Sequence, residues 1–126
     1  MNFKTLVIIK AVICLGFGPV LLLAPGPLLN LLGTSFGSGA ALTAREYGAA
    51  VMGNLMLTWF ARNAAESDAR LAILLHLFVY DAIGFVVTLL AVLSGVLNSL
   101  GWGIVVVYLF FTLGSGYLLI PKRTTA

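Results

Sequence analysis

Five ionisable residues occur in segments that are otherwise apolar: Lys10, Arg45, Glu46, His76 and Asp81. Charged groups are costly in hydrocarbon, so such residues usually face a partner or a water-filled cavity and are candidates for a functional site. One His and one Cys in the whole chain are too few to build a metal site. No catalytic or cofactor-binding motif is present. The sequence therefore predicts no metal site and indicates neither a catalytic group nor a particular cofactor.

Asp81 is the most informative of these residues. It lies 11 positions after Arg70, which corresponds to about 16 Å along a helix axis. This distance places Asp81 near the midplane of a bilayer whose hydrocarbon is about 30 Å thick. The carboxyl could couple to a proton or a substrate. It could instead be structural, either paired with a cation or protonated and hydrogen-bonded to a neighbouring helix, and we favour the structural interpretation.

Arg45 is the partner that we expect for Asp81. If the second and third apolar segments form a hairpin, Asp81 lies level with Gly48. In the same hairpin, His76 lies level with Asn54. Arg45 is about one helical turn further along, and its long side chain can close that gap and bind a carboxylate with two hydrogen bonds.

The other candidate residues each have a structural interpretation that we favour. Lys10 is expected to extend its side chain towards the lipid headgroups, nearer to His76 than to Asp81. Asn54 is expected to hydrogen-bond a neighbouring helix. His76 and Tyr80 share a helix face, and a lone histidine there is more often a hydrogen-bonded packing residue than a metal ligand.

The composition indicates what kind of protein must position these side chains. Hydrophobic residues make up 61% of the 126 residues, and charged residues only 9%. Soluble domains are about 45–50% apolar and about 25% charged, and a domain of this size cannot bury such an excess of apolar side chains. This composition excludes a water-soluble enzyme, a nucleic-acid-binding domain and a disordered segment. We expect a single-domain membrane protein whose partner is the lipid bilayer and not a nucleic acid.

Four apolar segments have the length of about 17–25 residues that a membrane-spanning helix needs: residues 5–24, 44–61, 71–93 and 100–120. Backbone groups in lipid must be hydrogen-bonded within their own segment, so the segments are predicted to be helices. The predicted fold is all-α, with four transmembrane helices in an antiparallel bundle.

Short connections join the predicted helices. Residues 27–32 could form an interfacial turn or half-helix, and residues 33–39 resemble a loop. Residues suited to cap the helices occur at the expected ends: Thr43 with Glu46 as a capping box, Ser67, Gly95 and Ser99.

The distribution of Lys and Arg predicts the orientation of the helices. The positive charges that flank the four segments all fall on one side: Lys4, Arg62, Arg70, Lys122 and Arg123. The positive-inside rule makes this side cytoplasmic, so we expect a multi-pass inner-membrane protein with both termini in the cytoplasm. Tyr47 is expected in the outer belt of interfacial aromatic residues.

The sequence AREYGAA at residues 44–50, Gly53, the sequence WFAR at residues 59–62 and the third helix together carry a resemblance. They resemble small bacterial four-helix inner-membrane proteins of the DoxX-like type in span count, glycine spacing and a charged residue that opens the second helix. For some proteins of this type, the resemblance implies a membrane subunit of a quinone-linked oxidoreductase. It assigns no functional residue and marks no quinone site in this chain.

Three hypotheses for function remain open. The first is a non-catalytic accessory, anchoring or assembly subunit, or a self-associating bundle, because small residues offer packing faces and so short a chain has little interior for a cavity. The second is a small proton-coupled transporter that works through Asp81, either alone or together with Glu46. The third is a membrane enzyme or redox subunit that uses His76 and Tyr80. The possible partners are other membrane subunits or a second copy of the chain.

Overall fold

The computed structural model describes residues 1–121, which form five α-helices and no strand. The helices are α1 (Phe3–Leu23), α2 (Pro25–Leu31), α3 (Ser38–Phe60), α4 (Asp68–Leu93) and α5 (Gly101–Leu119). The all-α class is thus confirmed for the described residues. The expected cytoplasmic residues Lys122 and Arg123 lie outside the described residues.

Helices α1, α4 and α5 are each long and apolar enough to cross a membrane. The expectation of a membrane protein with transmembrane helices is therefore supported for three of the four predicted spans. The 23 residues of α3 are sufficient in length, but this helix is not among the three. It contains the polar residues Arg45, Glu46 and Asn54 together with several glycines. A fourth span at α3 stays a prediction.

The start of α3 differs from the predicted boundary at residue 44. The helix begins at Ser38, and Gly37 occupies its N-cap position without a capping side chain. Thr43 therefore lies inside the helix, where its hydroxyl donates a hydrogen bond to the carbonyl of Gly39 at 3.0 Å. The predicted capping box of Thr43 and Glu46 is wrong, because the small residues before them continue the helix by more than a turn.

Two of the other predicted helix ends are confirmed and one is wrong. Ser67 caps α4, since its hydroxyl accepts a hydrogen bond from the backbone N–H three residues later at 3.2 Å. Gly95 follows the end of α4 with a φ of +81°, a conformation that favours glycine. Ser99 does not cap α5. The side-chain carbonyl of Asn98 accepts a hydrogen bond from the backbone N–H of Leu100 at 3.0 Å instead.

Of the two alternatives for residues 27–32, a turn or a half-helix, the structure shows a short helix, α2, that begins at Pro25. The loop that follows is shorter than expected because α3 begins at Ser38. Asn98, in the α4–α5 connection, holds the end of α2 in place. Its side-chain amide donates to the carbonyl of Leu31, and its backbone N–H donates to the carbonyl of Leu32, both at 2.8 Å. The short helix and the α4–α5 connection therefore lie at the same end of the fold.

The long helices pack mainly as two antiparallel pairs, α1 with α3 and α4 with α5. Glycine permits the close approach in each pair. A Cβ atom at Gly48 would lie 3.0 Å from the backbone nitrogen of Leu22, and one at Gly84 would lie 2.7 Å from Cδ1 of Tyr108. A smaller contact between α1 and α5 joins the pairs. Within the described chain, no α-carbon of α3 lies within 8 Å of one of α4.

The two ends of the fold differ in how tightly they are packed. Near the start of α1, a buried cluster joins α1, α4 and α5: Phe3, Leu6, Val7, Ile73, Leu74, Leu77 and Phe111. A second cluster fills the interface of α1 and α3: Ala11, Cys14, Leu21, Ala44, Val51 and Leu55. Towards α2, a cavity lies between the two helix pairs.

Candidate functional site

A buried ion pair lies between α1 and α4. The ammonium group of Lys10 donates a hydrogen bond to Oδ1 of Asp81, and the two residues are 4% and 0% exposed. No α-carbon of α1 lies within 8 Å of one of α4 in the described chain, so the long lysine side chain spans the separation. Each charge is thus compensated in a region where an isolated charge would be strongly unfavourable.

The predicted pair of Arg45 and Asp81 is wrong. Arg45 is exposed on α3, and so is Glu46. The buried positions of α3 that precede and follow them, Ala44 and Gly48, face α1. A pair of Arg45 and Asp81 requires that α3 and α4 pack against each other, and in the described chain they do not. Because α1 packs against α3 instead, the cation that reaches Asp81 comes from α1.

The expected extension of Lys10 to the headgroups is also wrong. Its ammonium group lies 4.4 Å from the centre of the Phe111 ring and 5.0 Å from the centre of the Tyr80 ring. Both distances are within the range of cation–π attraction. One carboxylate and two aromatic rings therefore surround the charge, and the side chain points into the fold.

The second carboxylate oxygen of Asp81 differs from the first. Oδ2 is buried and has no hydrogen-bond partner among the described residues. A buried acceptor without a donor lowers stability. Because Oδ2 has no such donor, it can still accept a proton or a hydrogen bond. The ion pair alone does not satisfy the whole carboxyl group.

Three tyrosine hydroxyls meet beside the ion pair, and we call Tyr47, Tyr80 and Tyr108 the tyrosine cluster. They come from α3, α4 and α5. The Tyr80 hydroxyl donates to the Tyr47 hydroxyl at 2.8 Å, and the Tyr47 and Tyr108 hydroxyls are hydrogen-bonded to each other. The hydroxyl of Tyr47 thus binds tyrosines of two other helices, and the expected place of Tyr47 in an interfacial belt stays a prediction.

His76 and Asn54 form a second polar contact between α3 and α4. Nε2 of His76 lies 2.7 Å from Oδ1 of Asn54, as the predicted hairpin levels indicate. The His76 ring also stacks on Tyr80, with 5.8 Å between ring centres. Within residues 1–121, no three His, Cys, Asp or Glu side chains are grouped so that they could hold a metal ion. These contacts describe a hydrogen-bonded histidine that links two helices.

A cavity of about 700 Å³ separates the two helix pairs. Lys10 and the tyrosine cluster line one end, while α2, the loop residues Thr34 and Ser35 and the start of α5 line the other. The expectation that so short a chain has little interior to spare for a cavity is therefore wrong. Of the helices that line the cavity, α3 and α4 contact each other through polar side chains and not through close backbone packing in the described chain.

Sequence reasoning missed the tyrosine cluster and the cavity. The predicted hairpin offered a partial signal, since it places Asp81 level with Gly48. Tyr80 precedes Asp81 and Tyr47 precedes Gly48, so the two tyrosines are expected at similar depth. Nothing in the spacing indicated that Tyr108 joins them. The structure does not bring Glu46 to this site.

Comparisons of the chain with protein-family models, with curated proteins and with solved structures found no match. The resemblance to DoxX-like proteins stays a prediction, and the function must be inferred from the geometry of the chain itself.

Proposed function

We propose that the chain is a multi-pass inner-membrane protein in which α1, α3, α4 and α5 cross the bilayer as an antiparallel four-helix bundle, and that it is a non-catalytic accessory, anchoring or assembly subunit. The observation that carries the proposal is the ion pair of Lys10 and Asp81. The pair holds the buried carboxyl group of Asp81 in a contact between two helices, which is the arrangement expected of a structural ion pair.

The ends of the helices support the proposed orientation. The guanidinium group of Arg70 lies 4.4 Å from the centre of the Phe3 ring, and it donates to the carbonyl of Ala64 at 3.3 Å. The start of α1 and the α3–α4 connection thus lie at the same end. Lys4, Arg62 and Arg70 then carry positive charge on one side of the membrane, as a cytoplasmic face requires.

A fourth span at α3 is compatible with its charged residues. Arg45 lies seven residues after the start of the helix at Ser38, which is about 10 Å along the axis. Arginine at this depth can extend its side chain to the headgroup region. Glu46 is exposed beside it, so the two charges lie towards the same end of the helix.

The outer surface of the described helices supports contact with lipid or with other membrane subunits. Large apolar side chains that are more than half exposed occur on the helices α1, α4 and α5: Val12, Leu15, Ile83, Val87, Leu90, Val106 and Leu113. An apolar surface on three long helices is expected where the surroundings are hydrocarbon. The same surface is available for association with another helix bundle through packing.

A small proton-coupled transporter is the second candidate function. Two observations favour it: the cavity reaches Lys10, and Oδ2 of its partner Asp81 has no hydrogen-bond partner in the described chain. A carboxyl that transports protons must alternate between charged and neutral forms, and Asp81 has one oxygen free to accept a proton. Asp81 itself does not line the cavity, which makes the accessory role the better supported of the two.

Reconstitution of wild type and Asp81→Asn in proteoliposomes tests this ranking. An accessory subunit should leave the proton permeability of the vesicles at the level of empty liposomes in both cases, while Asp81→Asn should lower thermal stability in detergent. A proton-coupled flux in wild type that disappears in folded, normally inserted Asp81→Asn would overturn the proposal.

Cross-linking in native membranes tests the accessory role more directly. The proposal expects the chain to be recovered in a stoichiometric complex with another membrane protein or with a second copy of itself. A chain that stays monomeric at all cross-linker concentrations would contradict it.

A further inference from the structure

We propose that the cavity between the two helix pairs binds one uncharged amphiphile from the lipid phase, with a carbonyl-type acceptor head at the tyrosine cluster and an apolar body that extends towards α2. This inference requires that the chain lies in a bilayer, but it does not require the accessory role.

The size and lining of the cavity fit such a molecule. Pockets of about 300–1,000 Å³ with mostly apolar walls and a few polar groups are typical of sites for small ligands, and this cavity has about 700 Å³. Its lining away from the tyrosine cluster is mostly aliphatic, with Ile13, Leu21, Leu29 and Ile104 among the residues. The ammonium group and the three phenols lie at one end, while the other polar lining residues are the small hydroxyls of Thr34, Ser35, Thr43 and Thr88. The proposed molecule therefore has its acceptor head at the tyrosine cluster and a longer, mostly apolar part beyond it.

The tyrosine cluster offers a hydrogen-bond donor to that polar end. Each phenol hydroxyl has one hydrogen to donate. Three hydroxyls are joined by two hydrogen bonds, so two of the three hydrogens are used within the cluster. Because Tyr80 donates to Tyr47, the remaining hydrogen belongs to Tyr47 or to Tyr108, and both residues line the cavity. A carbonyl oxygen can accept this hydrogen.

The charge of the site indicates that the ligand is uncharged. Among residues 1–121, Lys10 is the only charged residue that lines the cavity, and Asp81 already neutralises it. A carboxylate or an ammonium group on the ligand would have no counter-charge of its own, and burying an unpaired charge is strongly unfavourable. An ester, a ketone or a similar carbonyl head meets the donor without this cost.

The arrangement of the helices provides a route from the lipid phase. Among the described residues, α3 and α4 do not approach each other within 8 Å at their α-carbons, and both contribute side chains to the cavity wall. Between them, the contacts of Tyr47 with Tyr80 and of Asn54 with His76 are side-chain contacts. A slender apolar molecule in the surrounding lipid can therefore enter between these helices by displacement of side chains alone.

Photo-crosslinking in lipid nanodiscs tests the proposal. The probe is the methyl ester of a diazirine-bearing lauric acid, and the modified residues are located by mass spectrometry of the purified chain. We expect insertion at residues of the cavity wall such as Cys14, and weaker labelling by the free acid of the same probe. Insertion confined to the outward-facing side chains would overturn the proposal, and so would preferential labelling by the acid.

A matched pair of glycine variants separates blocking of the cavity from general damage. Gly103 lines the cavity and Gly53 does not, and a Cβ atom at either position would have no atom within 4 Å apart from its own helix backbone. Both variants should therefore fold. We expect Gly103→Phe to reduce cavity labelling at least about tenfold, a decrease that corresponds to about 1.4 kcal/mol, while Gly53→Phe leaves it unchanged. Equal labelling in the two variants would overturn the site.

Removal of the hydroxyls tests the assignment of the head. Tyr47→Phe combined with Tyr108→Phe should weaken binding of the methyl ester by about 2- to 10-fold, which is the effect of one neutral hydrogen bond. Binding of a diazirine-bearing alkane without a head group should not change. If the ester and the alkane respond equally, the tyrosine cluster does not hold the head and the proposed orientation is wrong.

Discussion

Lys10 of α1 and Asp81 of α4 form an ion pair although the two helices have no α-carbons within 8 Å of each other in the described chain. The pair therefore connects parts of the fold that backbone packing leaves apart. It lies between the packed cluster around Phe111 and the cavity lined by Tyr80. Its removal should affect both the packing of the bundle and the polar end of the cavity.

The two charges should be energetically coupled. Lys10→Met or Asp81→Asn alone leaves a buried charge or polar group without its partner, and each should lower the free energy of unfolding by at most about 3–5 kcal/mol. The double variant should be less destabilised than the sum of the two single variants. Unfolding of the purified protein in mixed micelles measures all three values.

Lys4→Met provides the control for this cycle, because Lys4 lies on the same helix but is exposed. It should change stability by no more than about 0.5 kcal/mol. Strict additivity of the Lys10 and Asp81 variants would mean that the two side chains do not interact in the folded protein.

Arg45→Gln should have little effect on stability, although the sequence suggested this arginine as the partner of Asp81. Arg45 is exposed, and its removal leaves the contact of Lys10 with Asp81 intact. We expect a change within about 0.5 kcal/mol in the same unfolding experiment. A loss comparable to that of Lys10→Met would show that Arg45 takes part in the pair.

The depth of the polar residues along their helices could be predicted from the sequence, but the residues that they contact could not. Helix rise alone placed His76 level with Asn54, and the two side chains are in contact. The rotation of a helix and the order of helices around a bundle depend on which faces pack best. The glycine at position 48 brings α3 against α1, so the inner face of α3 carries Ala44 and not Arg45.

The tyrosine cluster and the cavity were not predictable for a related reason. Tyr47, Tyr80 and Tyr108 are far apart in the chain, and each alone resembles an interfacial aromatic residue. The cavity is lined by side chains of all five helices, and no local pattern of residues encodes how these helices are arranged around it. The helices themselves were predictable because apolar length and backbone hydrogen bonding determine them.

Close packing of α4 on α5 should make Gly84 sensitive to the smallest substitution. In Gly84→Ala the new methyl group would lie 2.7 Å from Cδ1 of Tyr108, so the tyrosine ring must move. We expect a loss of about 1–3 kcal/mol in stability, the usual effect of overpacking. The measurement is the free energy of unfolding in mixed micelles.

Gly53→Ala is the matched control for this substitution. It is also within a helix, and its Cβ atom would have open space around it. Alanine is a better helix former than glycine, so this variant should be unchanged or up to about 1 kcal/mol more stable. Equal losses in the two variants would show that the helix backbone, and not the contact with Tyr108, determines the effect.

The proposed span at α3 predicts opposite accessibility of the loops at its two ends. Ser35 precedes α3, Asn63 follows it, and both are exposed. In a Cys14→Ala background, which removes the single native thiol, we would introduce Ser35→Cys or Asn63→Cys separately. In intact spheroplasts, a membrane-impermeant maleimide should label the cysteine at position 35 and not the one at position 63.

Permeabilised spheroplasts provide the control, because both cysteines should then react to a similar extent. Asn63 lies in the connection that includes Arg62 and precedes Arg70, so the positive-inside rule places it in the cytoplasm. If both cysteines react in intact spheroplasts, or if neither does, α3 does not cross the membrane and the bundle has fewer spans than proposed. If only position 63 reacts, α3 crosses the membrane in the opposite direction, and the lysines and arginines do not determine the orientation of this chain.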